Sequence, residues 1–402
     1  MRTSSVILGL VCLLLLTGCN TSDPAPSAPK DRPLFTTVPS DSSGVLFSNP
    51  VNDTMAFTPF NTPYIYNGGG VAIGDLDGDS LPDLVFTGNQ VPGRIYRNLG
   101  GLRFEDVTDT ASFDTEAPWV TGVALADVDG DGRLDVYVSR SGPPHVTDKR
   151  DRLFINQGGF QFTEEGRERG ITRNTSSTQG YFFDMDRDED LDLFVVAHPA
   201  EHQRAVDFFF YLNDVPDTTN QDRLYRNDGG TFSDVTREAG IRDANGFGLS
   251  AAVLDVNEDG WDDLFVANDF FLPDQLWLNQ RDGTFRDSTH TYFERQTLFS
   301  MGSDVGDVDG DGRPDLLVAD MAPETMTTMK THMFDLPLDW YLTNERLFGV
   351  EQTTRNALYL QRDDRFIEAG ELYGIARTDW SWSVFIEQLN HDDRPDIFIS
   401  NG

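Results

Sequence analysis

From residue 71 onward, apolar residues gather in short runs bounded by turn-rich polar segments. Val71-Ala-Ile-Gly and Leu84-Val-Phe-Thr form the first pair. The second member returns as Val136-Tyr-Val-Ser, Leu193-Phe-Val-Val, Leu264-Phe-Val-Ala, Leu316-Leu-Val-Ala and Ile397-Phe-Ile-Ser. Runs of this length and composition predict strands. A third strand follows in each unit, at Arg94-Ile-Tyr-Arg-Asn98, Arg152-Leu-Phe-Ile-Asn156, Arg223-Leu-Tyr-Arg-Asn227, Gln275-Leu-Trp-Leu-Asn279 and Ala357-Leu-Tyr-Leu-Gln361. A fourth begins at Phe104, Phe162, Phe232, Phe285 and Phe366. Four strands per unit at this period predict an all-β fold, a β-propeller of four-stranded blades. The alternative, a stacked β-solenoid, is disfavoured because its coils are shorter than this unit. Six blades begin within the sequence, and a complete ring is expected to hold seven.

Between the first two strands of each unit lies an acidic loop. It reads Asp75-Leu-Asp77-Gly-Asp79-Ser-Leu81-Pro-Asp83, then Asp127-Val-Asp129-Gly-Asp131-Gly-Arg133-Leu-Asp135, then Asp184-Met-Asp186-Arg-Asp188-Glu-Asp190-Leu-Asp192. Asp255-Val-Asn257-Glu-Asp259-Gly-Trp261-Asp-Asp263 and Asp307-Val-Asp309-Gly-Asp311-Gly-Arg313-Pro-Asp315 follow. A worn sixth copy carries Gln388, Asn390, Asp392 and Asp396. First residues are spaced by 52, 57, 71, 52 and 81.

Side-chain oxygen at positions 1, 3, 5 and 9, with a backbone carbonyl at position 7 (Leu81, Arg133, Asp190, Trp261, Arg313), is the donor set of a hard cation such as Ca²⁺. Small turn residues at positions 4 and 6 let the chain curl. Asx turns holding no metal are the plain alternative. An EF-hand would need Glu at position 12 and flanking helices, but Phe86, Val138, Val195, Val266 and Val318 stand there. The sixth copy, with Gln388 at position 1, is expected to bind weakly or not at all.

These loops and their strands resemble FG-GAP or VCBS repeats, the calcium-binding propeller blades of integrin α chains. The spacing, the Phe-x-Asp-Val-Thr endings and Thr378-Asp-Trp-Ser-Trp382 resemble bacterial secreted proteins related to cartilage acidic protein. The likeness spans residues 34–402. It implies a calcium-stabilised extracellular scaffold for binding or adhesion.

Charge sharpens this picture. With 67 acidic and 31 basic residues the formal charge is −36, which excludes nucleic acid as a default partner. The acidity is 51 Asp against 16 Glu, and Asp belongs in turns and metal loops. Five bound Ca²⁺ would bring −36 to about −26. Only three Lys stand beside 28 Arg, and an acidic, Lys-poor surface also suits a salty habitat.

At the N-terminus, Arg2 precedes an apolar run from Val6 to Leu16 that ends in Leu16-Thr17-Gly18-Cys19. Residues 1–18 resemble a bacterial lipoprotein signal, which implies lipid on Cys19. An ordinary secretory signal with a chance Cys is the alternative. Residues 19–33 are polar and Pro-rich, a tether for the propeller at 34–402. With Cys12 removed and Cys19 lipidated, no disulfide is expected. Phe35-Thr-Thr-Val38 followed by Gly44-Val45 imitates a fourth strand and is expected to help close the ring.

The long spacings place insertions near 198–222 and 321–355. The first holds His198, His202 and the aromatic run Asp207-Phe-Phe-Phe-Tyr211. Pro199 argues against the helix that a two-His metal site would need, so a plain loop is expected. In the second, Met326, Met329 and Met333 fall on one helical face, expected as core filler rather than copper ligands. Trp380 and Trp382 alternate on a strand and are expected between blades. No nucleophile motif is present.

The expected function is a non-enzymatic, lipid-anchored binding module on the bacterial envelope, with an extracellular protein or glycan as partner. A calcium-dependent polysaccharide lyase or hydrolase, with its site at the channel mouth, is the alternative. A part in a larger envelope assembly is the third. Fold alone does not choose.

Overall fold

The computed structural model describes residues 35–52, 58, 64–113, 119–143, 146–199, 221–241, 246–270, 272–332 and 338–401. The predicted signal, Cys19, the tether, His202, the run 207–211 and Met333 lie outside them. The compact unit begins at Val38, four residues after the expected boundary.

Five four-stranded antiparallel blades succeed one another in chain order, each with its strands side by side in sequence. Blade 1 is β1 (Val71–Gly74), β2 (Asp83–Phe86), β3 (Arg94–Asn98) and β4 (Phe104–Asp106). Blade 2 is β5 (Val120–Ala126), β6 (Asp135–Arg140), β7 (Arg152–Asn156) and β8 (Phe162–Glu164). Blade 3 is β9 (Ser177–Phe183), β10 (Asp192–Ala197), β11 (Arg223–Asn227) and β12 (Phe232–Asp234). Blade 4 is β13 (Gly248–Leu254), β14 (Asp263–Asn268), β15 (Gln275–Asn279) and β16 (Phe285–Asp287). A short β17 (Arg295–Thr297) precedes blade 5, whose first two strands are β18 (Ser300–Gly306) and β19 (Asp315–Ala322). It pairs in parallel with β20 (Glu351–Thr353), and β21 (Ala357–Arg362) and β22 (Arg365–Glu368) complete the blade. β23 (Asp379–Glu387) and β24 (Asp396–Asn401) begin a sixth sheet, joined to blade 5 where Asp379 and Trp380 pair with Ala322 and Met321 at the end of β19.

The second strands read as unbroken apolar runs because both faces are covered. All six residues of β6, β10 and β14 are buried. Their alternation then divides them between neighbours. Val136 and Val138 pack toward blade 1 with Val85 and Ile95. Tyr137 packs toward blade 3 with Leu193 and Tyr225. Phe265 of blade 4 meets Leu316 and Tyr359 of blade 5.

The first strands share a register shift near their start in blades 2 to 5 and in the sixth sheet, between Val120/Gly122, Ser177/Gln179, Gly248/Ser250, Ser300/Ser303 and Ser381/Ser383. A bulge gives one strand an extra residue and re-aims its side chain. Thr121, Thr178, Leu249 and Trp382 are those residues in four of the five, Met301 and Gly302 share the place in blade 5, and all six line the central cavity. The Thr121 and Thr178 hydroxyls donate to Ser177 O (2.7 Å) and Gly248 O (3.0 Å) of the next blade.

Two expectations need correction. Residues 35–39 form no strand: Val38 is followed by Pro39, which has no amide hydrogen to give a ladder. Residues 40–44 nevertheless resemble the end of a blade. The short helix α1 (Ser40–Ser43) is capped by Gly44 at φ +80°, and a Cβ there would sit 2.3 Å from Phe104 O. Gly170 and Gly240 stand likewise against Phe232 O and Phe285 O of the following blade. The methionine helix, Met326–His332, exists, yet Met326 and Met329 are 66% and 40% exposed, so they fill no core. Trp380 and Trp382 do lie on β23, and Trp382 packs against the cluster joining β23 to blade 5.

The outer faces stay open at both ends of the series. Val71 and Ile73 of β1 are 59% and 65% exposed; the cross-strand pair Phe385 and Phe398 of the sixth sheet are 49% and 47% exposed.

Candidate functional site

Every acidic loop joins the first strand of its blade to the second, and the five share one internal wiring. The position 1 carboxylate accepts the amides that come after it. For Asp75 these are Gly78 N (2.8 Å), Asp79 N (3.2 Å) and Ser80 N (2.7 Å). Asp127, Asp184, Asp255 and Asp307 repeat this with their own loops. Position 5 accepts the position 7 amide, as from Leu81 to Asp79 (2.9 Å) and from Trp261 to Asp259 (2.9 Å). Positions 4 and 6 are left-handed throughout: Gly78, Gly130, Gly132, Gly260, Gly310 and Gly312 there are joined by Ser80, Arg187, Glu189 and Glu258.

Position 9 is the buried anchor. Asp83, Asp135, Asp192, Asp263 and Asp315 are at most 1% exposed. In each, one oxygen accepts the position 2 amide (Leu76, Val128, Met185, Val256, Val308) and the other the amide ending the third strand (Asn98, Asn156, Asn227, Asn279, Gln361). Burial pushes Asp135 up to about 6 and Asp192 and Asp263 up to about 7, against the pull of those amides.

Carboxylate oxygens of positions 1, 3 and 9 lie within 4.8 Å of one another in loops 1 (Asp75, Asp77, Asp83), 2 (Asp127, Asp129, Asp135) and 3 (Asp184, Asp186, Asp192). In loop 5 positions 1, 3 and 5 do so (Asp307, Asp309, Asp311). Loop 4 has the amide of Asn257 in place of its second carboxylate. An all-oxygen set of this spacing can hold a hard cation. Asp129 and Asp186 each keep one buried oxygen with no hydrogen-bond partner, which suits a further electrophile. In the sixth loop Asn390 Nδ2 donates to Asp392 (3.1 Å) and Asp396 (3.1 Å), and Gln388 adds no carboxylate.

By sequence the asparagine ending each third strand is a turn residue; its side chain also bridges blades. Asn156 Nδ2 donates to Leu76 O of loop 1 (2.9 Å), Asn227 to Val128 O of loop 2 (2.8 Å) and Asn279 to Met185 O of loop 3 (2.8 Å). Gln361 reaches Val256 O of loop 4 (2.8 Å). Each loop is thus tied to the one before it.

A second acidic series, outside the expected sites, lies at the opposite ends of the strands. Asp151, Asp222 and Asp274 precede the third strand and accept the amides of Arg140, Ala197 and Asn268 near the end of the second, each at 2.8 Å. Asp151 also accepts the Ser177 hydroxyl (2.8 Å), and Asp274 that of Thr297 (2.8 Å). In blade 5 Asn356 takes this position and Asp320 receives Leu298 N and Arg355 N. Burial raises Asp151 to about 6 and Asp274 and Asp320 to about 7. The recurrence Asp151-Arg-Leu, Asp222-Arg-Leu, Asp274-Gln-Leu is its legible signal in the sequence.

The first strands enclose a cavity of about 800 Å³. Tyr64, Trp119, His198 and Trp382 are among its lining residues. Tyr64 donates to Asp269 (3.2 Å) and meets the His198 ring edge-on at 4.7 Å. Burial lowers His198 to about 4 and raises Asp269 to about 7. His198 Nδ1 lies 3.0 Å from Pro199 O; His202, the other histidine of that insertion, lies outside the described residues. Among these residues no helix is long and apolar enough to cross a membrane.

Residues 75–138 and 255–318 match the FG-GAP-like repeat. Cartilage acidic protein 1 of Xenopus tropicalis is 23% identical over 210 residues, covering 50% of this chain and 29% of that protein. The chain thus spans less than a third of the length of this relative. Among solved structures, an Agrocybe aegerita lectin described as recognising non-reducing terminal N-acetylglucosamine aligns over 81% of this chain and 73% of its own, at 17% identity and a TM-score of 0.44. A rhamnogalacturonan lyase of Bacillus licheniformis aligns over 82% and 56%, at 11% identity and 0.36.

Proposed function

We propose that these FG-GAP-like blades form a calcium-stabilised binding scaffold outside the cell, tethered to the bacterial envelope through lipid on Cys19, with a protein or glycan as ligand. The observation that carries it is the convergence of loop carboxylates, repeated in four blades with the same amide wiring. Bound calcium would supply charge neutralisation. Positions 1, 3, 5 and 9 of each loop would hold it with the position 7 carbonyl, and the left-handed residues at 4 and 6 keep the donors turned inward. The loops sit between two strands of every blade, so fixing them fixes the scaffold that presents the insertions.

The test is a thermal melt of residues 34–402 in millimolar Ca²⁺ and in excess EDTA. Sites of roughly 0.1–1 mM affinity should raise Tm clearly, because a ligand bound only by the folded state stabilises it. An unchanged Tm would refute calcium stabilisation.

The lyase or hydrolase reading stays second. Tyr64 and His198, which line the cavity, with Asp269 behind them accepting the Tyr64 hydroxyl, are the acid–base groups that favour it. Release of reducing ends from polysaccharides, lost in Tyr64→Phe, would establish it.

A further inference from the structure

The loops differ in what already lies on their carboxylates. In loop 1 the Arg97 guanidinium bridges Asp77 Oδ2 (2.9 Å) and Asp79 Oδ2 (3.3 Å). In loop 5 Arg362 bridges Asp309 and Asp311. Arg281 holds Asp259 of loop 4 at 2.7 Å. In loop 2 Arg169 pairs with Asp129 (3.0 Å) and Arg133 with Asp131. Among the described residues no guanidinium lies within ion-pair distance of Asp184, Asp186 or Asp188 of loop 3, although Arg226 acts on Asp186 from farther away.

That gap has a local cause. Arg226 occupies in β11 the place that Arg97 occupies in β3, as Arg-Leu-Tyr-Arg-Asn against Arg-Ile-Tyr-Arg-Asn. Two residues on, blade 1 has Leu99 and blade 3 has Asp228. Arg226 turns to Asp228, at 3.0 Å from its Nη2 and 3.3 Å from its Nε. Leu99 offers Arg97 nothing, and Arg97 falls onto the loop. Arg187 of loop 3 is also engaged elsewhere, 4.9 Å over the Trp261 ring.

We infer that the loop arginines act as internal counter-cations that grade the loops in calcium affinity: loop 3 binds most tightly, while loops 1 and 5, bridged at positions 3 and 5, bind most weakly. Resting on the calcium reading above, this names its regulation. A guanidinium on positions 3 and 5 occupies the oxygens calcium needs, and it must be displaced before both can coordinate. In solvent a unit charge about 4 Å away is worth on the order of a fivefold change in affinity against one charge and about twenty-five-fold against a divalent ion, which screening at physiological salt reduces to about tenfold. Residue 99 or 228 sets which way the arginine turns.

The test is calcium titration by calorimetry and chelator competition on residues 34–402, comparing Arg97→Gln with Arg226→Gln. Both remove one positive charge from equivalent strand positions, so a general field effect would move them equally. The expected result is that Arg97→Gln tightens the weakest class of sites by about tenfold while Arg226→Gln changes the tightest class by less than about twofold. Asp228→Leu should weaken that tightest class by about tenfold, and Asp228→Leu with Arg226→Gln should restore it. Equal effects of the two arginine variants, or an unmoved tight class in Asp228→Leu, would overturn the grading and leave calcium stabilisation standing. A wild-type protein that takes up no calcium would overturn both.

Discussion

The two ends of each blade use the same side chain to opposite purposes. At the loop end, aspartates crowd within 4.8 Å of one another and are partly exposed, an arrangement that could hold a cation. At the opposite end Asp151, Asp222 and Asp274 stand singly, buried, each accepting an amide near the close of the second strand. They clip one strand to the next and, through Ser177 and Thr297, one blade to the next. Aspartate is therefore not a metal signal by itself: spacing along the chain and exposure decide between ligand and clip. Position 9 of the loops combines the two roles, being ligand-placed yet buried and doubly bonded to amides.

The contrast is broken most severely at position 9. Asp263→Ala would orphan the amides of Val256 and Asn279 in the interior, at roughly 1–3 kcal/mol each. Chemical denaturation should show that loss both with and without calcium. By comparison, Asp259→Ala removes a partly buried ligand that accepts the Trp261 amide and pairs with Arg281 near the surface: denaturation in EDTA should lose less than in Asp263→Ala, and any stabilisation by calcium should shrink. A loss of equal size in both variants under EDTA would erase the distinction between anchor and ligand.

Acidity comes next, and it groups the buried aspartates of both ends against the exposed loop carboxylates. Asp274 and Asp320 move from an ordinary carboxylate value of 3.8 to about 7 on folding, because burial disfavours the charge. A raised folded value means the folded state holds the proton more tightly, so this contribution is complete below pH 4 and lost as pH climbs through 7. The metal-free protein should thus melt higher at pH 5 than at pH 8. Calcium should reverse the order, since its ligands must be ionised. Scanning calorimetry of Asp274→Asn in EDTA should show a flatter dependence.

The smallest effect belongs to the loop backbone. Arg187 and Glu189 take φ of +62° and +74° where loops 2 and 5 have glycine. Glu189→Gly should gain up to about 1 kcal/mol in metal-free stability by relieving the left-handed residue. Denaturant midpoints in EDTA would measure it.

Much of the fold is readable in the sequence. Strands stand where short apolar runs do, because the second strands are buried on both faces and a run such as Leu264-Phe-Val-Ala has no solvent side to mark with polar residues. The loops are readable because a donor set repeats in sequence at fixed spacing. The illegible part is tertiary. Asn156 looks like a turn residue, and only the approach of blade 1 makes its amide a bridge. The fate of Arg97 against Arg226 depends on one residue two places on, a difference that reads as neutral between loops until the side chains have positions. Met326 and Met329 share a helical face as expected, but that face meets water.

The asparagine bridges carry a mechanical meaning. Since Asn156, Asn227, Asn279 and Gln361 each grip the loop of the preceding blade, the loops form a chain of nearest neighbours in which ordering one lowers the cost of ordering the next. A pull applied between the two ends of such a chain would be shared by successive links. Peeling would start at an end blade and advance one blade at a time, so resistance to stretching would rise with anything that orders the loops.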